Sequence, residues 1–190
     1  MPDLQALFVD MDGTLVDTAD ANFAAYAAAL SEAGVAVERT EFDRLATGRH
    51  WRQFLPPLLA GTAVEPAAVA ARKQSIYPGM VAHTRLNRHL MTLISSLRPA
   101  LKLGLVTSAS RSGVSAILAV HGLETWFDIV ISGDDVAEPK PSPEAYLLAA
   151  KGLDIPAGRC MVIEDSPVGV ESARRAGMTV LKIESPRFSD

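Results

Sequence analysis

Cysteine is nearly absent. Cys160 is the only one in 190 residues, so no disulfide can form within the chain, and its place before the apolar run "MVI" reads as a buried thiol rather than a nucleophile. No run of lysine or arginine appears and the formal charge is −4, which excludes a general nucleic-acid binder with a basic face. Glycine–serine and glutamine tracts are missing, so disordered modules are not expected. No apolar stretch approaches the roughly 20 residues that a bilayer-crossing helix needs, and "MPDLQALFVD" lacks the basic start and long apolar core of a secretory signal. By default the reading is a soluble cytoplasmic protein with no nucleic-acid or membrane partner. Its oligomeric state, monomer or weak dimer, stays open.

What is present is a rhythm. The segments at 4–10, 101–108, 127–133, 160–165 and 178–183 are continuous apolar runs, as expected for strands covered on both faces. Between the later ones lie helical patterns. In "LNRHLMTLISSL" the residues Leu86, Leu90, Leu93, Ile94 and Leu97 share one helical face. Ser142-Pro143 and Ser166-Pro167 each read as an N-cap serine followed by proline at the first helical position. Gly122, Gly152 and Gly177 fall where helices should stop. This alternation predicts an α/β fold with a doubly wound parallel sheet. Residues 18–84 break the rhythm: "ANFAAYAAALSEAG", with Phe23, Tyr26 and Leu30 on one face, opens a stretch of helical patterns with no convincing strand. The chain is therefore expected to carry a core of residues 1–17 and 85–190, with an inserted all-helical cap at 18–84.

In open parallel sheets, ligands bind beyond the carboxyl ends of the strands. Here those ends carry Asp10 with Asp12 after the first strand, Thr107 and Ser108 after the second, Lys140 ahead of a helix, and Glu164 with Asp165 after the fourth. Four carboxylates facing one lysine cannot all stay ionised without compensation. Oxygen ligands of this kind suit a hard divalent cation, typically Mg²⁺, and hydroxyl, backbone N–H and lysine around a metal make a phosphate site.

"DMDGT", "LVTS", "KPSPEAY" and "VIEDSPVGVESARRAGM", in that order, resemble the four-motif signature of the haloacid dehalogenase-like hydrolases. The branch most resembled is that of phosphatases and phosphomutases with a helical cap after the first motif, which includes β-phosphoglucomutase and phosphoglycolate phosphatase. The resemblance implies that Asp10 is the nucleophile that takes a phosphoryl group. Asp12 would protonate the leaving oxygen and then activate water, with Gly13 letting the chain turn tightly. Thr107, Lys140 and the Ser108 backbone would hold the phosphoryl oxygens. Mg²⁺ would lie on the Asp10 carboxylate, the Asp12 carbonyl and Asp165, with Glu164 orienting the set or reaching the metal through water. The implied substrate is a small phosphorylated metabolite: a sugar, polyol or organic-acid phosphate.

Simpler readings compete at several positions. Asp17 and Asp20 read as favouring the start of the first cap helix, Asp134 and Asp135 as a solvated turn, and Ser142 as a cap. In "TGRHWRQFLPP", Gly48 is a candidate hinge, and Arg49, His50 and Arg52 are candidates to face substrate. Trp51 either covers the substrate or packs inside. Asn22 stands where the resemblance puts the histidine of β-phosphoglucomutase, which favours hydrolysis over the mutase alternative. The second acid, Asp12, disfavours a dehalogenase. A catalytically silent phosphate-binding regulatory protein is a further alternative. After "MTVLKI" only "ESPRFSD" remains, where the family usually continues with another strand or helix.

Overall fold

The computed structural model describes residues 3–46, 49 and 51–184. The chain divides at Asp17/Thr18 and at Thr84/Arg85 into two compact units. The first is α/β, with a five-stranded parallel sheet in the order β5-β4-β1-β6-β7. Its strands are β1 (Ala6–Val9), β4 (Lys102–Val106), β5 (Ile129–Ile131), β6 (Cys160–Glu164) and β7 (Thr179–Lys182). β1 sits in the middle and pairs in parallel with β4 on one side and β6 on the other, Ala6 opposite Lys102 and Cys160. All four of its side chains are fully buried, which accounts for an apolar run with no alternation. The chain runs outward from β1 through β4 to β5, then crosses back to β6. That reversal of strand order opens the crevice in which such sheets bind ligands.

Helices α5 (Arg88–Leu97), α6 (Arg111–His121), α7 (Glu144–Gly152) and α8 (Pro167–Arg175) connect these strands. α7 packs against β4 and β5, and α8 against β6 and β7. Local chemistry sets their ends. Asn87, Ser110 and Ser166 accept hydrogen bonds from Leu90, Gly113 and Gly169 at their N-termini. Gly122, at φ +66°, ends α6 in the left-handed conformation that glycine adopts without strain.

Several sequence expectations need correction. Leu86 is not helical: it lies in β3 (Arg85–Leu86), which pairs antiparallel with β2 (Val16–Asp17), and Leu93 is 45% exposed. Asp17 closes β2, and the next residue, Thr18, is the N-cap of the first helix of the inserted unit. Pro143, not Ser142, is the N-cap of α7. The helix begins with Glu144, whose carboxylate accepts the backbone N–H groups of Ala137 and Glu138 at 2.9 Å. Gly152 is the last residue of α7 and Leu153 its cap.

The second unit contains α1 (Ala19–Glu32), α2 (Arg39–Ala46), α3 (Trp51–Leu58) and α4 (Pro66–Ile76), inserted after β2. Its core gathers Leu30, Phe42, Phe54, Leu55, Leu59 and Val69. Phe23, Tyr26, Phe42 and Phe54 form a chain of ring contacts with centroids 5.1–5.6 Å apart. A few aromatics thus do much of the work of closing a small helical unit. Arg39 ties α2 to α1 by gripping both Asp20 and Asp43 at 2.7 Å. No helix among the described residues is long and apolar enough to cross a membrane.

Candidate active site

Asp10 follows the last residue of β1, and its N–H donates to Ile163 O on β6 at 3.0 Å. The chain then turns back at once. Leu15 N and Val16 N both donate to Met11 O, at 3.0 and 2.9 Å, and Gly13 N donates to Val16 O. Gly13 takes φ +82°, a region costly for any residue with a Cβ. This tight loop leaves Asp10 and Asp12 at the carboxyl end of the central strand.

Around Asp10 the neighbouring strand ends supply the rest. Lys140 comes from the connection that crosses the sheet, and its side chain is only 4% exposed. Its ammonium donates to Asp10 Oδ1 at 2.7 Å, Glu164 Oε1 at 2.8 Å, Val106 O at 3.1 Å and the Tyr146 hydroxyl at 3.1 Å. Glu164, fully buried at the end of β6, also accepts the N–H and hydroxyl of Ser166 at 2.9 and 3.0 Å. Asp165 accepts the Thr14 hydroxyl at 3.0 Å. Asp10, Glu164 and Asp165 each present an oxygen within 4.8 Å of the others. Thr107, buried after β4, donates its hydroxyl to Asp12 Oδ2 at 3.3 Å and accepts from Ala109 N at 3.1 Å.

The electrostatics are those of an acidic pocket short of positive charge. Burial raises the Asp10 carboxyl well above its ordinary range, against the opposing pull of Lys140, and burial raises Asp165 too. Lys140 remains an ammonium: burial works against its charge, but Asp10, Tyr146 and Glu164 together hold its pKa well above the usual value. Three oxygen donors with one lysine leave excess negative charge, and a hard cation is the group such a donor set fits.

Asp10, Lys140, Glu164 and Asp165 are therefore drawn together, with Asp12 and Thr107 hydrogen-bonded beside them. Ser108 is exposed next to Thr107. In the helical unit, Arg52 is exposed and its guanidinium stacks 4.6 Å from the Trp51 ring, while Trp51 packs, half-buried, against the helical core. Arg49 is exposed and donates to Leu45 O at 2.9 Å. Gly48 and His50 lie outside the described residues. Asp134 and Asp135 hold the start of α6 and the end of β5: Asp134 accepts Arg111 N at 2.8 Å, and Asp135 accepts the Ser132 N–H and hydroxyl and pairs with the Arg111 guanidinium. Cys160 is buried, its thiol pushed up to about 11 by that burial, in keeping with an inert role.

Four contributors escaped the sequence reading. Thr14 reaches Asp165, Tyr146 reaches Lys140 and Glu164, and the Ser166 hydroxyl serves Glu164 as well as capping α8. The fourth is Gly169, in the first turn of α8, where an added methyl group would coincide with the Glu164 carboxylate. Gly169→Ala is expected to destabilise the α/β unit by roughly 1–3 kcal/mol through overpacking, measured by urea unfolding. An unchanged midpoint would mean that Glu164 can move aside freely.

Known proteins resemble this chain over nearly its whole length. The haloacid dehalogenase-like hydrolase family model matches residues 7–183. Fructose-1-phosphate phosphatase YqaB of Escherichia coli is 28% identical over 178 residues, covering 93% of this chain and 95% of that protein. A phosphorylated carbohydrates phosphatase of Thermotoga maritima is 30% identical, covering 92% of this chain and 82% of that protein. The crystal structure of CbbY from Rhodobacter sphaeroides in complex with phosphate superimposes with a TM-score of 0.83 at 27% identity, over 98% of this chain and 90% of that one. With a family model spanning nearly its whole length and acids, lysine and hydroxyls gathered at the strand ends, the chain belongs to the haloacid dehalogenase-like hydrolases and is an enzyme of their phosphatase kind.

Proposed function

We propose that this enzyme hydrolyses the phosphate ester of a small sugar or polyol, with Mg²⁺ as its metal. The observation that carries the reading is the buried Lys140–Asp10 ion pair set against the oxygen donors of Glu164 and Asp165. The phosphatases of fructose 1-phosphate and of phosphorylated carbohydrates among its relatives support a sugar-phosphate substrate.

Asp10 gives one carboxylate oxygen to Lys140 and attacks the phosphorus with the other. The bond from phosphorus to the substrate oxygen breaks, and Asp12 donates a proton to that leaving oxygen. Asp12 then takes a proton from water as the water oxygen bonds to phosphorus, and the bond from phosphorus to Asp10 breaks, freeing phosphate and restoring the carboxylate. Splitting the displacement in two lowers each barrier, and an acid–base group is worth about 10²–10⁴-fold. Lys140 neutralises charge on the phosphoryl oxygens, and Thr107 orients Asp12 through its hydroxyl. Asp10, the Asp12 carbonyl and Asp165 would hold Mg²⁺, which when bound supplies positive charge to the transferring group. Residues 18–84 serve as the substrate-selecting cap, with the exposed Arg49 and Arg52 as candidates to meet the substrate.

The test is phosphate release from a panel of sugar, polyol and organic-acid phosphates, with Mg²⁺ and after chelation. Release from sugar or polyol phosphates that chelation stops is the expected result. Isomerised sugar phosphate in place of free phosphate would shift the assignment to a phosphomutase. Equal release with and without metal would remove Mg²⁺ from the proposal.

A further inference from the structure

The Lys140 ammonium has three protons and four oxygens within reach: Asp10 Oδ1, Glu164 Oε1, Val106 O and the Tyr146 hydroxyl, all between 2.7 and 3.1 Å. Two of these acceptors are carboxylates that compete for it from different strand ends. Asp10 lies where the phosphoryl group is to be received, whereas Glu164 is fully buried. An ammonium that settled on Glu164 would be lost to the reaction.

We infer that Tyr146 is a positioning residue whose hydroxyl decides this competition and keeps Lys140 at Asp10. The inference rests on the phosphatase reading above. Tyr146 Oη lies 3.3 Å from Glu164 Oε1, the same oxygen that Lys140 contacts, and 3.1 Å from the lysine nitrogen. A phenol can accept from the ammonium while donating to the carboxylate. The donated hydrogen bond stabilises charge on Glu164 Oε1 and weakens its hold on the lysine, while the accepted one fixes the nitrogen from a second direction. The ring cannot drift away, because Tyr146 is fully buried in the core formed by Phe8, Val106, Ala149 and Val162. Without the hydroxyl, Glu164 Oε1 is left with the ammonium alone and draws it from Asp10.

Tyr146→Phe tests this with little disturbance. Phenylalanine keeps the core packing and the ring that lies 4.9 Å from the lysine nitrogen, and removes only the oxygen. The expected result is a kcat lower by about 10-fold, the size of effect seen when a partner that orients a reacting group is removed. KM should stay within about twofold, because the lost interaction belongs to the transition state. Two further readings separate positioning from structure: the melting temperature, and the ¹⁵N-detected ammonium signal of Lys140, assigned by its loss in Lys140→Arg. The signal should move in Tyr146→Phe while the melting temperature stays within about 3 °C. A wild-type kcat overturns the inference, as does a fall in kcat accompanied by a lower melting temperature and an unmoved signal. If the wild-type enzyme releases phosphate from nothing on the panel, the phosphatase reading fails by itself. The ammonium signal still decides whether the hydroxyl holds Lys140, and an unmoved signal then overturns that as well.

Discussion

Asp10→Asn is expected to abolish phosphate release, with a loss in kcat of at least about 10⁴-fold, the scale seen when a covalent nucleophile is removed. The amide has nearly the same size and shape as the carboxylate but cannot form the acyl phosphate. The fold should survive, because Lys140 keeps Glu164 Oε1 at 2.8 Å, Val106 O and the Tyr146 hydroxyl. Asp10 N still donates to Ile163 O whatever the side chain. Activity and thermal melting should be measured on the same preparation, with mass spectrometry to exclude deamidation back to aspartate. Turnover at the wild-type rate would remove Asp10 as nucleophile, and loss of folding along with activity would show that its charge is structural.

Lys140→Met should have the largest effect on stability. Its side chain is 4% exposed, and the carboxylates it serves are buried too, Glu164 completely. Methionine fills similar space without charge, which leaves two buried acids facing each other. Breaking a buried pair by removing one partner costs about 3–5 kcal/mol, and for a chain of this length that lowers the melting temperature by on the order of 10 °C. Turnover should be lost as well. A variant that melts with the wild type would mean that water reaches and screens Asp10 and Glu164, contrary to their burial.

Much of the α/β unit was legible in the sequence because β1, β4 and β6 are covered on both faces and so appear as unbroken apolar runs. The shorter β5 pairs only Ile129, Val130 and Ile131 with β4, and nothing in "FDIVISG" marks where a ladder begins or ends. The acids of the site were legible for a positional reason: Asp10, Glu164 and Asp165 each stand where an apolar run gives way to polar residues. Lys140 needed the order of its neighbours, since one lysine before a helix carries no signal of its own. Tyr146 was out of reach. In "SPEAYLLAA" it looks like one more core residue, and only the packing of α7 against β4 and β5 brings its hydroxyl to the lysine. Gly169 was hidden likewise, because what forbids a side chain there is the direction taken by Glu164. Leu86 misled because its spacing fits a helix, whereas pairing with Val16 decides its conformation.

The placement of β1 between β4 and β6 also has a consequence for biosynthesis. As the nascent chain leaves the ribosome, β1, the strand buried at every residue, is made before both of its partners, and the second of these is not made until Cys160–Glu164 appears. At ordinary elongation rates that delay is on the order of ten seconds. Over that interval Ala6–Val9 has an unpaired edge of the kind that templates aggregation. The helical unit, whose core among the described residues lies between Phe23 and Ile76, is complete long before. The helical unit, Thr18–Thr84, can finish folding while the strand that leads into Asp10 still waits for its neighbour, and in that interval the nascent chain has most need of a chaperone.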